Sequence, residues 1–237
     1  MSATLQQANR AGKPSGASGA PVVSRRDDLV YGVFRALLIA LFRVFFRVRV
    51  VGRANCPKRG PLLVVCNHLS EWDPPFFGSF LPWQVHWLAK AELFALLGGR
   101  MNGFFRMLHC VPVDRNRADF SAVKEIARLL RGRRPVVVFA EGGTRSDETS
   151  LLGAAPALKE GAASMAFLGG TPPILPCLLT GTLALHDWRN WLLRRPLLEV
   201  VIGEPFTLDT RDRFEATRLI LDRLLALKPL LEQPKPC

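Results

Sequence analysis

A histidine and an aspartate five residues apart, His68 and Asp73, follow an apolar run in the stretch NHLSEWDPPF (67–76). On a regular helix five residues correspond to about 140° of rotation, so the two side chains could meet only on a turn. Pro74 and Pro75 predict that a helix starts there, with Asp73 near its N-cap. A carboxylate bonded to one imidazole nitrogen leaves the other nitrogen to act as a general base. The pair therefore predicts base catalysis, and helix capping by Asp73 is the plainer alternative.

Three further stretches place polar side chains where an apolar run ends. They are VPVDRNR (111–117), VVVFAEGGTRSDE (136–148) and TPPILPCLLTG (171–181). The first puts Arg115 where a loop should begin, and the second runs from a buried strand into Glu141, two glycines and Arg145. Glycine-rich loops offer backbone N–H groups to anions, and a guanidinium group binds phosphate oxygens in pairs. Together with the His68–Asp73 pair, these stretches predict transfer to a hydroxyl of a phosphate-bearing substrate.

Short apolar runs separated by helical patterns predict the fold. Arginine and valine alternate in FRVRVVG (46–52), which predicts an edge strand, and the apolar runs that follow are typical of buried strands. These runs are Leu62–Cys66, Val85–Ala89, Val136–Phe139, Ile174–Leu179 and Leu197–Ile202. Helical spacing of apolar residues predicts helices at 121–134, 158–170 and 211–227. Strands alternating with helices indicate an α/β fold: a single layered domain over residues 46–237, with a mixed, largely parallel sheet flanked by helices.

The segment LVYGVFRALLIALFRVFF (29–46) is both apolar and basic. Its longest charge-free run has only seven residues, well short of the roughly 18–20 that a spanning helix needs. On a helical wheel Arg35, Arg43 and Arg47 share one face, and the remaining arc is apolar. We therefore predict a membrane-interfacial helix at 28–45, with its arginines toward headgroup phosphates. A helix that covers the protein's own core is the alternative.

Two other segments bear on the predicted domain limits and membrane contact. Residues 1–27 are rich in Ser, Gly, Ala and Pro without a period, which predicts a disordered tail. HDWRNWLLRR (186–195) mixes two tryptophans with three arginines. That composition is typical of a second membrane contact, and an aromatic residue at the edge of the core is an equal alternative.

The formal net charge of +12 is concentrated near the N-terminus. Residues 1–60 hold 11 of the 32 basic residues and 2 of the 20 acidic ones, so +9 of the charge lies there. Basic and apolar residues in one segment indicate a membrane surface, whereas nucleic-acid binding usually needs basic and polar ones. The five cysteines form no CxxC pair. We therefore expect no disulfide framework or zinc site, and a reducing, cytosolic environment.

In this order, the four stretches resemble the four blocks of the glycerolipid acyltransferases, the family of 1-acylglycerol-3-phosphate acyltransferases. NHLSEWD matches the NHxxxxD block, VPVDR the arginine block, FAEGGTRS the FPEGTRS block and PPILPCLL the proline-bearing fourth block. The resemblance spans about residues 46–205. It is specific because the EGGTRS stretch follows the HxxxxD motif in the order that the family has. The helix ahead of the first block also resembles the membrane-docking helices of the family.

The resemblance implies an O-acyltransferase in which His68 is the general base and Asp73 orients it. The acceptor hydroxyl would attack an acyl thioester without an acyl-enzyme, and coenzyme A or acyl carrier protein would leave. Arg115 would hold the acceptor phosphate. Further substrate-binding positions would be Glu141, Gly142, Gly143, Thr144, Arg145 and Pro176. The favoured reaction is lysophosphatidic acid to phosphatidic acid at the cytoplasmic face of a membrane, with membrane lipids as partners and no metal or cofactor.

The sequence departs from the family's pattern at two blocks. The third reads EGGTRS where the family has one glycine, so either Gly142 or Gly143 is an insertion, and Ala140 replaces the usual proline. In the second block, His109 and Cys110 stand where a glycine and a small residue are common. The extra glycine leaves two registers, one residue apart, for Thr144 and Arg145, and the second departure alters the residues expected in the pocket wall.

The sequence also allows other functions, and it contains three further histidines. An acceptor without phosphate, such as a lyso-ornithine lipid, would remove the reason for Arg115, and a non-catalytic membrane-binding module would need no base. No GxSxG motif is present for a hydrolase nucleophile. Residues 61–237 have a nearly balanced charge, which disfavours nucleic-acid binding. We expect His86 to be structural, and His186 and Asp187 to lie on a strand as a surface feature. For His109, a place in the pocket wall is the less favoured alternative. The sequence does not indicate an oligomeric state.

Overall fold

The protein is described by a computed structural model that covers residues 25–95, 99–113 and 120–231. The strands are β1 (Arg47–Val51), β2 (Leu62–Cys66), β3 (His86–Lys90), β4 (Cys110–Val113), β5 (Pro135–Phe139), β6 (Ile174–Thr180) and β7 (Leu197–Ile202). The helices are α1 (Arg25–Phe45), α2 (Asp73–Phe80), α3 (Ala91–Ala95), α4 (Met101–Met107), α5 (Phe120–Arg131), α6 (Gly161–Leu168), α7 (Trp188–Arg194) and α8 (Arg213–Leu225). Short 3₁₀ turns lie at Arg53–Asn55, Thr182–His186 and Lys228–Leu230.

The described strands form one mixed sheet in the order β1-β7-β6-β2-β5-β3-β4. Its pairs are parallel except for β6 with β7, which is antiparallel. The predicted α/β class with a mixed, largely parallel sheet is therefore confirmed, and β1 lies at the sheet edge as its alternating sequence predicts. Strands β6, β2 and β5 run side by side in one direction, so the loops at their carboxyl ends are neighbours.

Apolar side chains alternate between the two faces of the central strands and create two cores. On β2, Leu63 and Val65 face one cluster that includes side chains of α5, α6 and α8. Leu62, Val64 and Cys66 face the other, which holds aromatic side chains of α1 and α2. Helices therefore cover both faces of the sheet, and α2 lies on the same face as α1.

Helix α1 packs through Tyr31, Phe42 and the following Phe46, which are all buried. Arg35 also points inward: its guanidinium group donates hydrogen bonds to the backbone carbonyls of Ser79 and Leu81, at the carboxyl end of α2. The last carbonyls of a helix have no partner inside the helix, so a nearby arginine side chain can donate hydrogen bonds to them. The expectation that Arg35 faces lipid phosphates is wrong for this reason.

The bounds of α1 differ slightly from the sequence prediction. The helix begins at Arg25 and so includes three residues that were assigned to the tail, while residues 1–24 of the predicted tail lie outside the described part. Arg47 belongs to β1 and not to the helix. Within the described ranges, no helix combines the length and the apolar character that crossing a bilayer requires.

Candidate active site

The site lies at the carboxyl ends of β2, β5 and β6. Asn67, directly after β2, is fully buried and continues the sheet through its side chain. Its amide nitrogen donates to the carbonyl of Leu179 at 2.9 Å, and its amide oxygen accepts from the N–H of Leu179 at 2.7 Å. The start of the NHLSEWD loop is thereby held on β6, and the chain turns away from the sheet at the next residue.

His68 and Asp73 meet on this turn, as their spacing predicts. Nδ1 of His68 lies 2.8 Å from Oδ2 of Asp73, and the Asp73 side chain is fully buried. The imidazole ring stacks on Phe139 at the end of β5, with ring centroids 3.9 Å apart. His68 also lines the large cavity described below. With Nδ1 directed to Asp73, Nε2 is the nitrogen left to accept a proton from a substrate.

Asp73 is bonded on both oxygens. Its Oδ2 also accepts from the N–H groups of Leu69 and Ser70, at 2.6 and 2.9 Å, and its Oδ1 accepts from the hydroxyl of Thr182 at 2.5 Å. The N-cap of α2 is Trp72, and Asp73 is the first helical residue. The carboxylate therefore organises the preceding loop and is not the N-cap of the helix that follows. Thr182 lies outside the four motif stretches, and no local signal in the sequence marks it.

Glu141 joins the β5 loop to the histidine. The side chain is almost fully buried; Oε2 accepts from the backbone N–H of His68 at 2.7 Å, and Oε1 accepts from the N–H of Leu151 at 2.6 Å. Since both oxygens are used by backbone donors, Glu141 fixes the position of His68 through the main chain. Among the described residues that line the cavity, the EGGTRS stretch contributes Thr144 and not Glu141.

The two glycines of EGGTRS differ in conformation. Gly142 has φ +73°, in the left-handed region that favours glycine, whereas Gly143 is not among the residues with positive φ. Gly142 is therefore the glycine that the turn after Glu141 requires, and Gly143 is the better candidate for the insertion. Beyond it, the N–H of Arg145 donates to the carbonyl of His68 at 2.8 Å, and the Arg145 guanidinium donates to the Thr149 hydroxyl at 3.1 Å.

A cavity of about 440 Å³ opens in front of His68. Its walls are mainly apolar and come from α1, α2, β3 and the helices after β3. The lining residues are Tyr31, Phe34, Arg35, Leu38, His68, Glu71, Trp72, Pro74, Pro75, Gly78, Ser79, Trp87, Leu88, Ala89, Lys90, Leu93, Phe104, Phe105, Leu108, Cys110, Phe139 and Thr144. A space of this size and character suits a hydrocarbon chain.

Lys90 is a cavity residue that the sequence analysis missed. It is exposed and lies at the carboxyl end of β3, one strand along from β5. Its position directly after an apolar run is the same signal that points to Arg115 and Glu141. That signal could have found it.

Arg115 and Pro176, two of the predicted binding residues, have different outcomes. Arg115 falls in 114–119, outside the described residues, so its role stays a prediction. Pro176 is buried inside β6, paired with Val65 of β2, and it is not among the described residues that line the cavity. Its carbonyl accepts from the N–H of Gly203 at 2.8 Å, which is a structural contact at the sheet.

The other histidines have separate surroundings. His86 packs edge-on against His109, and burial lowers the pKa of His86 to about 4, so it is neutral near pH 7. His109 is buried beside Tyr31 and is not among the described cavity-lining residues. His186 ends the 3₁₀ turn at Thr182–His186, so the prediction of a strand there is wrong, because β6 already ends at Thr180. Its Nε2 lies 3.2 Å from the Ser70 hydroxyl.

A carboxylate-bonded imidazole at an apolar cavity is an arrangement that can take a proton from a hydroxyl carried by an apolar substrate. Comparison with known proteins gives the family. The model of the family described as Acyltransferase matches residues 47–180, more than half of the chain, and the chain belongs to this family. It is an O-acyltransferase, and the resemblance seen in the four motif stretches is confirmed.

The relatives cover most of the chain. A 1-acyl-sn-glycerol-3-phosphate acyltransferase of Bacillus subtilis (strain 168) is 27% identical over 194 residues, which span 78% of this chain and 90% of the relative. A protein of the same name from Streptococcus pneumoniae (strain ATCC BAA-255 / R6) is 29% identical over 146 residues, 60% of this chain and 49% of the relative. The crystal structure of the 1-acyl-sn-glycerophosphate acyltransferase PlsC from Thermotoga maritima has the same fold, with a TM-score of 0.69 at 23% identity over 88% of this chain and 82% of that one.

Proposed function

We propose that this enzyme transfers a fatty acyl group from an acyl thioester to the free hydroxyl of a lysophospholipid, with lysophosphatidic acid as acceptor and phosphatidic acid as product. The observation that carries the proposal is the His68–Asp73 pair at the end of an apolar cavity of about 440 Å³. The names of the two curated relatives support the acceptor. Either acyl-CoA or acyl carrier protein serves as the donor in this proposal, and no metal or cofactor takes part.

The proposed reaction begins when Nε2 of His68 accepts the proton of the acceptor hydroxyl. The oxygen then attacks the thioester carbonyl carbon, a C–O bond forms, and the carbonyl oxygen carries the negative charge of a tetrahedral intermediate. When the carbonyl re-forms, the C–S bond breaks, and the proton on His68 passes to the leaving thiolate sulfur. Asp73 stabilises the imidazolium between the two proton transfers. The base acts on the acceptor directly, so no acyl-enzyme is formed.

Recognition of the acceptor phosphate is assigned to cations around the cavity mouth. Lys90 lines the cavity, and Arg145 lies one residue beyond the cavity-lining Thr144. Arg35 also lines it, but its guanidinium is already bonded to the end of α2. Arg115 remains part of the proposal on the strength of its motif. A phosphate between a lysine and an arginine accepts several charge-assisted hydrogen bonds.

The test is an acyl-transfer assay with purified protein in liposomes. Palmitoyl and oleoyl thioesters of coenzyme A and of acyl carrier protein are offered with lysophosphatidic acid, other lysophospholipids and a lyso-ornithine lipid. Diacyl product from lysophosphatidic acid, at a kcat/KM at least tenfold above the other acceptors, is the expected result. Product only from the acceptor without phosphate would overturn the assignment of the cations. Folded, liposome-bound protein that makes no product with any pair would overturn the enzymatic proposal for these substrates.

Membrane association is the second part of the proposal. The exposed side of α1 is apolar, and α7 lies beside α1, since Phe45 packs against Trp191 with ring centroids 5.0 Å apart. We call these exposed apolar side chains the docking face: Leu29, Val30, Val33, Leu37, Leu41, Val44, Trp188, Leu192 and Leu193. Exposed apolar patches of this extent mark interaction surfaces.

The charges beside the docking face favour an anionic membrane as its partner. Arg43 on α1, Arg189 and Arg194 on α7, and the following Arg195 are all exposed. Arg195 joins the two helices by donating to the carbonyl of Arg43 at 2.8 Å. Arginine next to leucine and tryptophan suits the boundary between headgroups and acyl chains. In this proposal the docking face lies on the cytoplasmic leaflet.

Replacing Leu37 and Leu41 together by glutamate should weaken vesicle binding by about 100-fold or more, because each leucine contributes roughly 1.5–3 kcal/mol when it leaves water. Both are exposed in the free protein, so the melting temperature should change little. Sedimentation with phosphatidylcholine–phosphatidylglycerol vesicles measures the effect. Leu168→Glu with Leu230→Glu is the matched control, since both leucines are 48% exposed and lie outside the docking face. Equal losses in the two double variants would contradict the assignment.

A further inference from the structure

Thr182 is fully buried and donates its hydroxyl to Oδ1 of Asp73. The other oxygen of the same carboxylate takes the imidazole of His68 and the two loop N–H groups. The two oxygens of Asp73 therefore have different partners, and the partner of Oδ1 comes from the 3₁₀ turn after β6, 109 residues away in the sequence.

The turn that carries Thr182 is rigidly placed. Gly181, between β6 and the 3₁₀ turn, has φ +88°, and a side chain there would meet the carbonyl oxygen of Leu197 at 2.0 Å. Thr182 follows directly and, being β-branched, has few rotamers open to it. The other end of the turn contacts the NHLSEWD loop, because Nε2 of His186 lies 3.2 Å from the Ser70 hydroxyl.

We propose that Thr182 is a positioning residue for acyl transfer: its hydroxyl holds the Asp73 carboxylate in the orientation that directs Oδ2 to His68. The inference rests on the proposed role of His68 as general base. Without the Thr182 bond only the contacts of Oδ2 hold the carboxylate, so it can tilt about its Cβ–Cγ bond, and the direction of the imidazole is less firmly fixed. The effect falls on the chemical step, because Thr182 is not among the described residues that line the cavity.

Thr182→Val removes the hydroxyl at almost constant volume, and Thr182→Ser keeps it. We expect kcat to fall about 10- to 100-fold in the valine variant, with KM for donor and acceptor within twofold of wild type, because a charge-assisted hydrogen bond to the catalytic pair is lost. The serine variant should stay within about threefold of wild type. A valine variant with wild-type kcat, or a serine variant as slow as the valine one, would overturn the proposal.

Two further variants distinguish a positioning role of Thr182 from a general loss of structure. In the Asp73→Asn background, Thr182→Val should cause no further fall in kcat, because its effect passes through Asp73; losses that multiply would overturn the inference. Thr182→Ala removes the same hydroxyl without placing a methyl group against the carboxylate. It gives the same comparison if the valine variant does not fold.

A measurement that needs no catalytic turnover tests the role of Thr182 independently of the proposed reaction. The Nδ1 proton of His68 in its bond to Asp73 should give a downfield proton resonance, assigned by its absence in His68→Gln. We expect the resonance to persist in Thr182→Ser and to broaden or disappear in Thr182→Val. An unchanged resonance in folded Thr182→Val would refute the positioning role whatever the acceptor is. Conversely, a lost resonance in an enzyme that acylates none of the tested acceptors would count against the proposed substrates and not against the positioning.

Discussion

Replacing His68 by alanine should lower kcat for acyl transfer by about 10³-fold or more while the protein stays folded. A positioned general base contributes roughly 10²–10⁴ to a rate, and no second imidazole is among the described residues that line the cavity. The His68 side chain bonds Asp73 and stacks on Phe139, so its removal costs some stability but leaves the two sheet cores untouched. Initial rates with a thioester and lysophosphatidic acid, together with a thermal melt, measure both effects.

Asp73→Asn should reproduce most of that loss, because an amide NH₂ facing Nδ1 favours the wrong imidazole tautomer. His86→Gln is the matched control, since His86 is a partly buried histidine that hydrogen-bonds the carbonyl of Pro135 at the start of β5, the opposite end of that strand from the site. It should keep kcat within about threefold of wild type. Comparable activity in wild type and His68→Ala would exclude general-base catalysis by this residue.

Glu141→Gln should destabilise the protein by about 2–4 kcal/mol and also lower kcat. The carboxyl group accepts one N–H bond on each oxygen, from His68 and Leu151, and an amide can accept only one of them. The second N–H would then face an NH₂ group inside the core. A buried N–H group that has lost its charged acceptor destabilises the folded protein strongly. For a chain of this size we expect the melting temperature to fall by roughly 5–15 °C.

The control for Glu141 is Glu148→Gln in the same loop. Glu148 is exposed, so its neutralisation should leave the melting temperature within about 1 °C. If Glu141→Gln melted like wild type and raised only KM for the acceptor, Glu141 would be a direct substrate contact, as its motif suggests, and not a support for the main chain of His68.

The sequence predicts the contact between His68 and Asp73 well because the information is local. His68 and Asp73 are five residues apart on a single turn, and a buried strand before them with a proline-started helix after them leaves little choice of geometry. The role of Glu141 is different. Its position after β5 is readable, but whether its carboxylate faces the cavity or the backbone of a loop 73 residues away depends on how β2 and β5 pair.

The sequence and the structure also differ at Arg35 and Thr182, in both cases because the contact joins segments far apart in the chain. A helical wheel shows that Arg35 shares a face with other arginines, but it does not show that the orphan carbonyls at the end of α2 lie within reach of that face. Thr182 likewise carries no motif, and its meeting with Asp73 requires β6 to lie next to β2 in the sheet. Contacts between distant segments were not predictable from periodicity, whereas strands, helices and strand-end loops were.

Helix α1 carries part of the proposed docking face on its outer side and forms an inner wall of the cavity, where Tyr31, Phe34 and Leu38 line it. If α1 docks on the bilayer as proposed, a lipid moves laterally between the bilayer and the cavity along this helix. Release of a two-chain product into water would cost about 0.8 kcal/mol for each methylene exposed, which would hold it in the enzyme for very long times. Lateral exit removes that barrier, so turnover should depend on how fluid the surrounding bilayer is and not on the aqueous solubility of the product.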